Sequence, residues 1–340
     1  MTNNILITGG NGFLALHIIQ QLLAQGDHVR ATVRNDARAA ETQATLTAAH
    51  TLNMANLTFV NLDLTQDAGW QDAMAGIDVV MSVAAPVFVN SESNTNALAK
   101  IATDGTLRIL HAAEAAGVQR VIMTGNFGAV GFSNLDPQRV TTEADWTNPD
   151  QRGLSLYERS KLLAERAAWE YVQQPDVSVR LTTINAGAML GSALGDHVSG
   201  SFGILCSLVD GSLERVPRLN FNVVDVRDVA SMHVAALNTP AAAGQRFLAV
   251  ADDAISYPDI RRLLQAALPQ RQLSTKILPS WLVHLAGHFN ARAREADLML
   301  RMSHRVSNQH AKDLLNWQPQ SSATQAVQGA IASLITSKQI

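Results

Sequence analysis

Five consecutive residues, Tyr157-Glu158-Arg159-Ser160-Lys161, carry the clearest chemical potential in the chain. Residues four apart share one face of a helix, so the Lys161 ammonium can lie near the Tyr157 phenol. A free tyrosine has a pKa near 10, and a nearby cation favours the phenolate and lowers it. A tyrosine so tuned can give a proton to a carbonyl oxygen, or take one from an alcohol, near neutral pH. Lowering its pKa by about 3 units corresponds to roughly 4 kcal/mol of differential stabilisation. Alone, a Tyr–Lys pair at this spacing is only suggestive; its meaning depends on what precedes it.

What precedes it is a glycine-rich turn, Gly9-Gly10-Asn11-Gly12-Phe13-Leu14-Ala15, between an apolar run and an amphipathic stretch. Glycines allow a tight turn and close backbone approach to a pyrophosphate, and the small Ala15 permits close helix–strand packing. The helix start then offers free N–H groups and partial positive charge to phosphates. The second apolar run, Val29 to Val33, ends at Arg34, with Arg38 close behind. An acidic residue there would bond a ribose 2′-hydroxyl. A guanidinium instead matches a 2′-phosphate, which favours NADP over NAD. Asp63 and Leu64, after the third run, are expected beside the adenine.

Elements of two periodicities must position these groups. Strands are expected at 5–8, 28–33, 57–62, 79–83, 120–124 and 179–184, with helices at 13–25, 67–75, 95–116 and 156–173. Strand then helix, repeated, argues an α/β fold, a doubly wound parallel sheet with helices on both faces. Gly26, Gly76 and Gly117 each stand just past a helix pattern, and Ser155 with Glu158 reads as a capping box. After residue 186 the rhythm changes. A strand is expected at 222–228 and another at 247–250, and the remainder is mostly helical. The expected division is 1–186 for the cofactor, with 216–250 returning to it, and 187–215 with 251–340 as a smaller, mostly helical substrate lobe.

Composition sets limits. The 340 residues are 47% hydrophobic and 16% charged, enough for a large core. A net charge of −3 gives no basic footprint for nucleic acid or anionic membrane. One cysteine, Cys206, excludes a disulfide framework and a cysteine zinc site. No apolar run reaches membrane-spanning length and no signal peptide is readable, so a cytoplasmic protein is expected. His284 and His288 lack a third ligand, and no metal is expected.

Taken together, these residues resemble the extended short-chain dehydrogenase/reductase superfamily, in its dihydroflavonol-reductase-like branch with NADPH-dependent aldehyde and ketone reductases. The segments that carry the resemblance are Thr8–Ala15, Val29–Arg34, Ser82–Pro86, Gly105–Leu107, Tyr157–Lys161 and Val226–Ala230. It implies a Rossmann-type fold and NADP (NADPH) as cofactor. Gly9, Asn11, Gly12, Phe13 and Leu14 would hold the pyrophosphate, and Arg34 the 2′-phosphate. Val83, Ala84 and Ala85 would line the cofactor, and Tyr157 and Lys161 would also contact the nicotinamide ribose. Met189 is placed against both cofactor and substrate, with Val87 and Phe127 as further substrate walls.

Two departures stand out. The family usually has Thr-Ser-Ser after the fifth strand, where this chain has Thr124-Gly125-Asn126. Either Asn126, through its amide donors, or Thr124, through its hydroxyl, would steady the substrate oxygen. Asn185-Ala186-Gly187 replaces the usual Asn-Pro-Gly, and a looser loop is expected there. The implied activity is NADPH-dependent reduction of an aldehyde or ketone by a monomer or homodimer that engages neither nucleic acid nor membrane. The alternatives are a nucleotide-sugar epimerase or dehydratase and a non-catalytic NADP-binding regulator.

Overall fold

The computed structural model describes residues 2–84 and 95–340; Ala85 and Val87 lie outside the described residues. Six parallel strands, β1 (Asn4–Ile7), β2 (His28–Val33), β3 (Leu57–Asn61), β4 (Val79–Ser82), β5 (Arg120–Asn126) and β6 (Arg180–Ala186), form the sheet with a seventh, Arg246–Ala249. The order is the seventh strand, then β6-β5-β4-β1-β2-β3. The inner strands β1, β4, β5 and β6 are largely buried on both faces, as a parallel sheet requires, while the edge strand β3 exposes Thr58 and Asn61. Along β1 the faces alternate: Ile5 and Ile7 join one core and Leu6 the other.

On the first face pack α1 (Phe13–Ala24) and α7 (Val226–Asn238); on the second pack α3 (Trp70–Met74), α4 (Thr95–Ala115) and α5 (Leu156–Val172). This is the doubly wound Rossmann-type arrangement. Its strand order reverses between β1 and β4, where ligands of such sheets bind beyond the carboxyl ends of the strands. Outside the sheet lie α6 (Gly203–Val209), α8 (Tyr257–Ala267), α9 (Ser280–Ala286), α10 (Ala291–Arg301), α11 (Gln309–Leu315) and α12 (Ala323–Thr336). A short strand β7 (Ala188–Leu190) pairs with Val223–Asp225. No described helix is long and apolar enough to cross a membrane.

Two of the differences from the sequence reading have clear local causes. A helix, α2 (Asp36–Ala48), stands where none is expected; it is Ala- and Thr-rich and buries only Thr42 and Leu46, so its apolar stripe is faint. The strand expected at 222–228 stops at Asp225. There the Asp225 carboxylate accepts from Arg227 N–H and caps α7, so Asp228 is helical. On α9 and just past its end, Trp281, Leu285 and Phe289 stand exposed at four-residue intervals.

The core contains two buried histidines, His17 and His233. Burial lowers both pKa values to about 4. Each is neutral when folded and titrates near 6.5 when unfolded, so unfolding takes up protons between those limits. The stability this contributes is complete above pH 6.5 and is lost as pH falls towards 4. Substituting His233→Gln should therefore flatten acid sensitivity. Between pH 7 and pH 5 the wild type should lose on the order of 2 kcal/mol more urea-unfolding free energy than the variant.

Candidate active site

The glycine turn joins β1 to α1 under tight constraints. Gly9 has φ +69° and a Cβ there would stand 2.9 Å from Ala84 Cβ. At Gly10 it would stand 2.7 Å from Ala31 Cβ. The Thr8 hydroxyl oxygen accepts from Val83 and Ala84 N–H, both at 2.9 Å, and so locks β1 to the end of β4. Gly12 caps α1 with no side chain bonding its first turn, leaving an open helix start of the kind that receives phosphate. The Phe13 and Leu14 side chains are buried, Phe13 edge-on to Phe202; their contribution to a phosphate site is therefore backbone. Arg34 and Arg38 are exposed beyond β2. Asp63 Oδ1 closes a turn by accepting from Thr65 N and Oγ1. Those bonds, with the Arg34 and Arg108 charges, lower its pKa. Leu64 beside it is half-buried, its carbonyl accepting from Arg108.

The second half of the site is built on α5. Ser155 caps the helix by accepting from Glu158 N–H. The expected capping box is only half formed, because the Glu158 side chain turns inward. Its Oε2 is buried without a hydrogen-bond partner. Burial, with the Glu295 charge, raises its pKa to about 7. Tyr157, in the first turn, is 49% exposed. Surrounding protein pushes the phenol pKa up, the Glu158 charge adds to this, and a hydrogen bond from Asn126 opposes it. The expected lowering of that pKa by Lys161 is not what this geometry produces: loss of solvent dominates, and Asn126 is the group drawing it down. Lys161 itself is lowered to about 8 by burial, against the attraction of Glu165.

Thr124 and Asn126 divide their tasks. His233 Nδ1 lies 2.8 Å from the Val229 carbonyl, so that nitrogen must carry the proton. His233 Nε2 is then an acceptor, and the Thr124 hydroxyl donates to it at 2.8 Å. The Thr124 proton is thus spent inside the core. Asn126 Oδ1 accepts from Gly128 N, which leaves its amide N–H groups for the Tyr157 side. Phe127, expected as a substrate wall, is 6% exposed and packs in a core cluster with Phe132, Leu162 and Leu298. It stiffens the turn carrying Asn126. Met189 is half-buried against the main core, its carbonyl accepting from Ser199. The loop expected to be looser at Ala186 is strand: β6 pairs Ala186 with both Asn126 and Ala249.

A family model described as the NAD dependent epimerase/dehydratase family matches residues 5–249. The chain belongs to that family. Within it, the chain falls in the dihydroflavonol-reductase-like branch of the extended short-chain dehydrogenases/reductases. An uncharacterised oxidoreductase of Schizosaccharomyces pombe is 33% identical over 288 residues, 78% of this chain and 83% of that protein. Cinnamoyl-CoA reductase 1 of Petunia hybrida is 31% identical over 277 residues, 80% of this chain and 79% of that protein. Among solved structures, the yeast methylglyoxal/isovaleraldehyde reductase complexed with NADPH superposes with a TM-score of 0.77 at 22% identity, covering 99% of this chain and all of that one.

Three supporting residues escape the sequence reading. Glu165 follows Lys161 by one helical turn, so the spacing that links Tyr157 to Lys161 could have found it. Glu158 lies inside the motif but reads only as the capping-box partner of Ser155, not as a buried charge beside Tyr157. His197 sits in a loop with no periodicity to mark it. Glu158 has a measurable consequence. Above neutral pH its carboxylate opposes a second negative charge on the phenol. Glu158→Gln should therefore make Tyr157 titrate at lower pH, by up to about one pH unit. The check is a tyrosinate absorbance titration, read as the difference from Tyr157→Phe in this chain of three tyrosines.

Proposed function

We propose that the chain is an NADPH-dependent oxidoreductase that reduces an aldehyde or ketone to the alcohol. One observation supports the reading: Asn126, at the carboxyl end of β5, bonds the Tyr157 phenol on α5, in the same parallel sheet whose β1–α1 join is the glycine turn. The residues fit a phosphorylated dinucleotide. Gly9 and Gly10 are packed against Ala84 and Ala31 with no room for a Cβ, which holds the turn tight, α1 presents an uncapped start, and Arg34 and Arg38 stand beyond β2 for a 2′-phosphate. The names of the relatives, cinnamoyl-CoA reductase and methylglyoxal/isovaleraldehyde reductase, support a reductive carbonyl chemistry.

When bound, NADPH would supply the hydride. The chain would do the rest. Asn126 would direct an amide N–H at the carbonyl oxygen as charge develops there. Tyr157, kept protonated at neutral pH by its surroundings, would give its proton to that oxygen. Lys161 would hold a ribose hydroxyl and place a positive charge near the resulting phenolate. In this reading residues 1–186 and 216–250 hold the cofactor, and 187–215 with 251–340 close the substrate side.

The test is loss of reduced-nicotinamide absorbance with aldehydes, α-diketones, β-keto esters and dihydroflavonols, NADH in parallel. Turnover with NADPH is expected. Tyr157→Phe should lose about 10²- to 10⁴-fold in kcat while NADPH binding persists. Asn126→Ala should lose about 10²-fold or more, and Thr124→Val much less. Full activity of Tyr157→Phe would remove the mechanism.

A further inference from the structure

The loop from Gly191 to Ser199 crosses above the start of α1, tied at both ends. His17 Nε2 on α1 is 3.0 Å from the Ser192 carbonyl, Ala193 N–H donates to Ser333 Oγ at 2.9 Å, and Ser199 Oγ donates to the Met189 carbonyl at 2.6 Å. Between these ties the loop reaches α2. A Cβ on Gly195 would stand 3.0 Å from Thr45 Cγ2. His197 Nε2 lies 2.8 Å from Glu41 Oε1, and 3.5 Å from both Arg38 Nη1 and Asn11 Nδ2. Arg38 Nη1 in turn donates to Glu41 Oε2 at 2.6 Å.

One carboxylate is therefore held on both oxygens, by a guanidinium and an imidazole, beside a residue of the glycine turn. Carboxylate and phosphate are recognised by the same donors. Arg38, Glu41 and His197 side chains are 48%, 36% and 39% exposed. Surface ion pairs of this kind contribute at most about 1 kcal/mol, so an arriving phosphate can displace Glu41 cheaply. The elements meeting here are α2, the glycine turn and the 191–199 loop. The charged groups they bring are Arg38, Glu41, Asp196 and His197, with Arg34 just before α2.

We infer that His197 is a cofactor clamp: carried over the glycine turn by its loop, it joins Arg38 in gripping the 2′-phosphate of NADP(H), and Glu41 holds that phosphate's place beforehand. The inference rests on the NADPH reading above. It makes Glu41 a competitor of the cofactor and His197 a determinant of NADPH over NADH.

Equilibrium titration of NADPH and NADH, followed by nucleotide fluorescence without substrate, separates the possibilities. His197→Ala should weaken NADPH about tenfold and NADH less than about twofold. Glu41→Gln should tighten NADPH, and Glu41→Gln with His197→Ala should lose that gain. Equal weakening of both nucleotides by His197→Ala, no change in either, or weaker NADPH binding by Glu41→Gln would overturn the clamp. Arg34→Ala and Arg38→Ala serve as the control. If they reduce the preference for NADPH while His197→Ala does not, the clamp alone fails. If they too leave it unchanged, the NADPH reading fails with it.

Discussion

Glu165 is fully buried on α5, one turn beyond Lys161, and a buried carboxylate is costly unless its oxygens are matched. Here they are. Asn185 Nδ2 donates to Oε2 at 2.5 Å, Thr183 Oγ1 to Oε1 at 3.2 Å, and Arg246 Nε lies 3.0 Å from Oε1. Arg246 comes from the seventh strand, stacks 3.7 Å from the Trp146 ring centre and donates to the carbonyls of Glu143 and Asp145. A single carboxylate thus fastens α5 to β6, to the seventh strand and to the 143–146 loop. Rotating the helix by one residue would abandon every one of these contacts. Removing one partner from such a network costs about 3–5 kcal/mol. The direction in which Tyr157 and Lys161 point is set by that penalty.

The surroundings also bear on the protonation states of the pair. Loss of water moves a phenol up and an ammonium down, because each disfavours its charged form. Tyr157, pushed up from an ordinary value near 10, keeps its proton at neutral pH. Lys161, near 8, remains mostly charged there, and the attraction of Glu165 helps to keep it so. Glu165 thus acts twice, as a mechanical tie and as a counter-charge. Glu158, on an adjacent face of the same helix, acts in the opposite sense by resisting ionisation of the phenol.

What was legible in the sequence follows the range of the interactions responsible. The β1–α1 turn, the strand alternation and the Tyr157–Lys161 face arise from contacts within a few residues, and period and spacing expose them. α2 was invisible because thirteen residues rich in Ala and Thr bury only two side chains. The Asp225 cap was invisible because an aspartate ending a strand and one opening a helix occupy the same position in the sequence. The choice between Thr124 and Asn126 could not be made locally. They lie two apart on one strand, and the deciding contact is His233, 109 residues away. Phe127 reads as a pocket wall until Gly131, Phe132 and Leu162 are seen to enclose it.

Ala186 shows why a departure from a family pattern need not mean looseness. It lies in β6 between Asn126 and Ala249, with paired strands on both sides. A proline there would fix φ but remove a donor from the middle of a sheet. Alanine gives up the fixed φ and keeps the N–H. The next residue is constrained by space instead, since a Cβ on Gly187 would stand 2.2 Å from the Asn222 carbonyl oxygen. Asn185, immediately before, spends its amide on Glu165 and on the Asn126 carbonyl. Asn185, Ala186 and Gly187 are thus held by a carboxylate, a sheet and a close backbone contact. Rigidity that a ring would have supplied covalently is supplied by neighbours, and the Asn126 backbone is steadied by the same set.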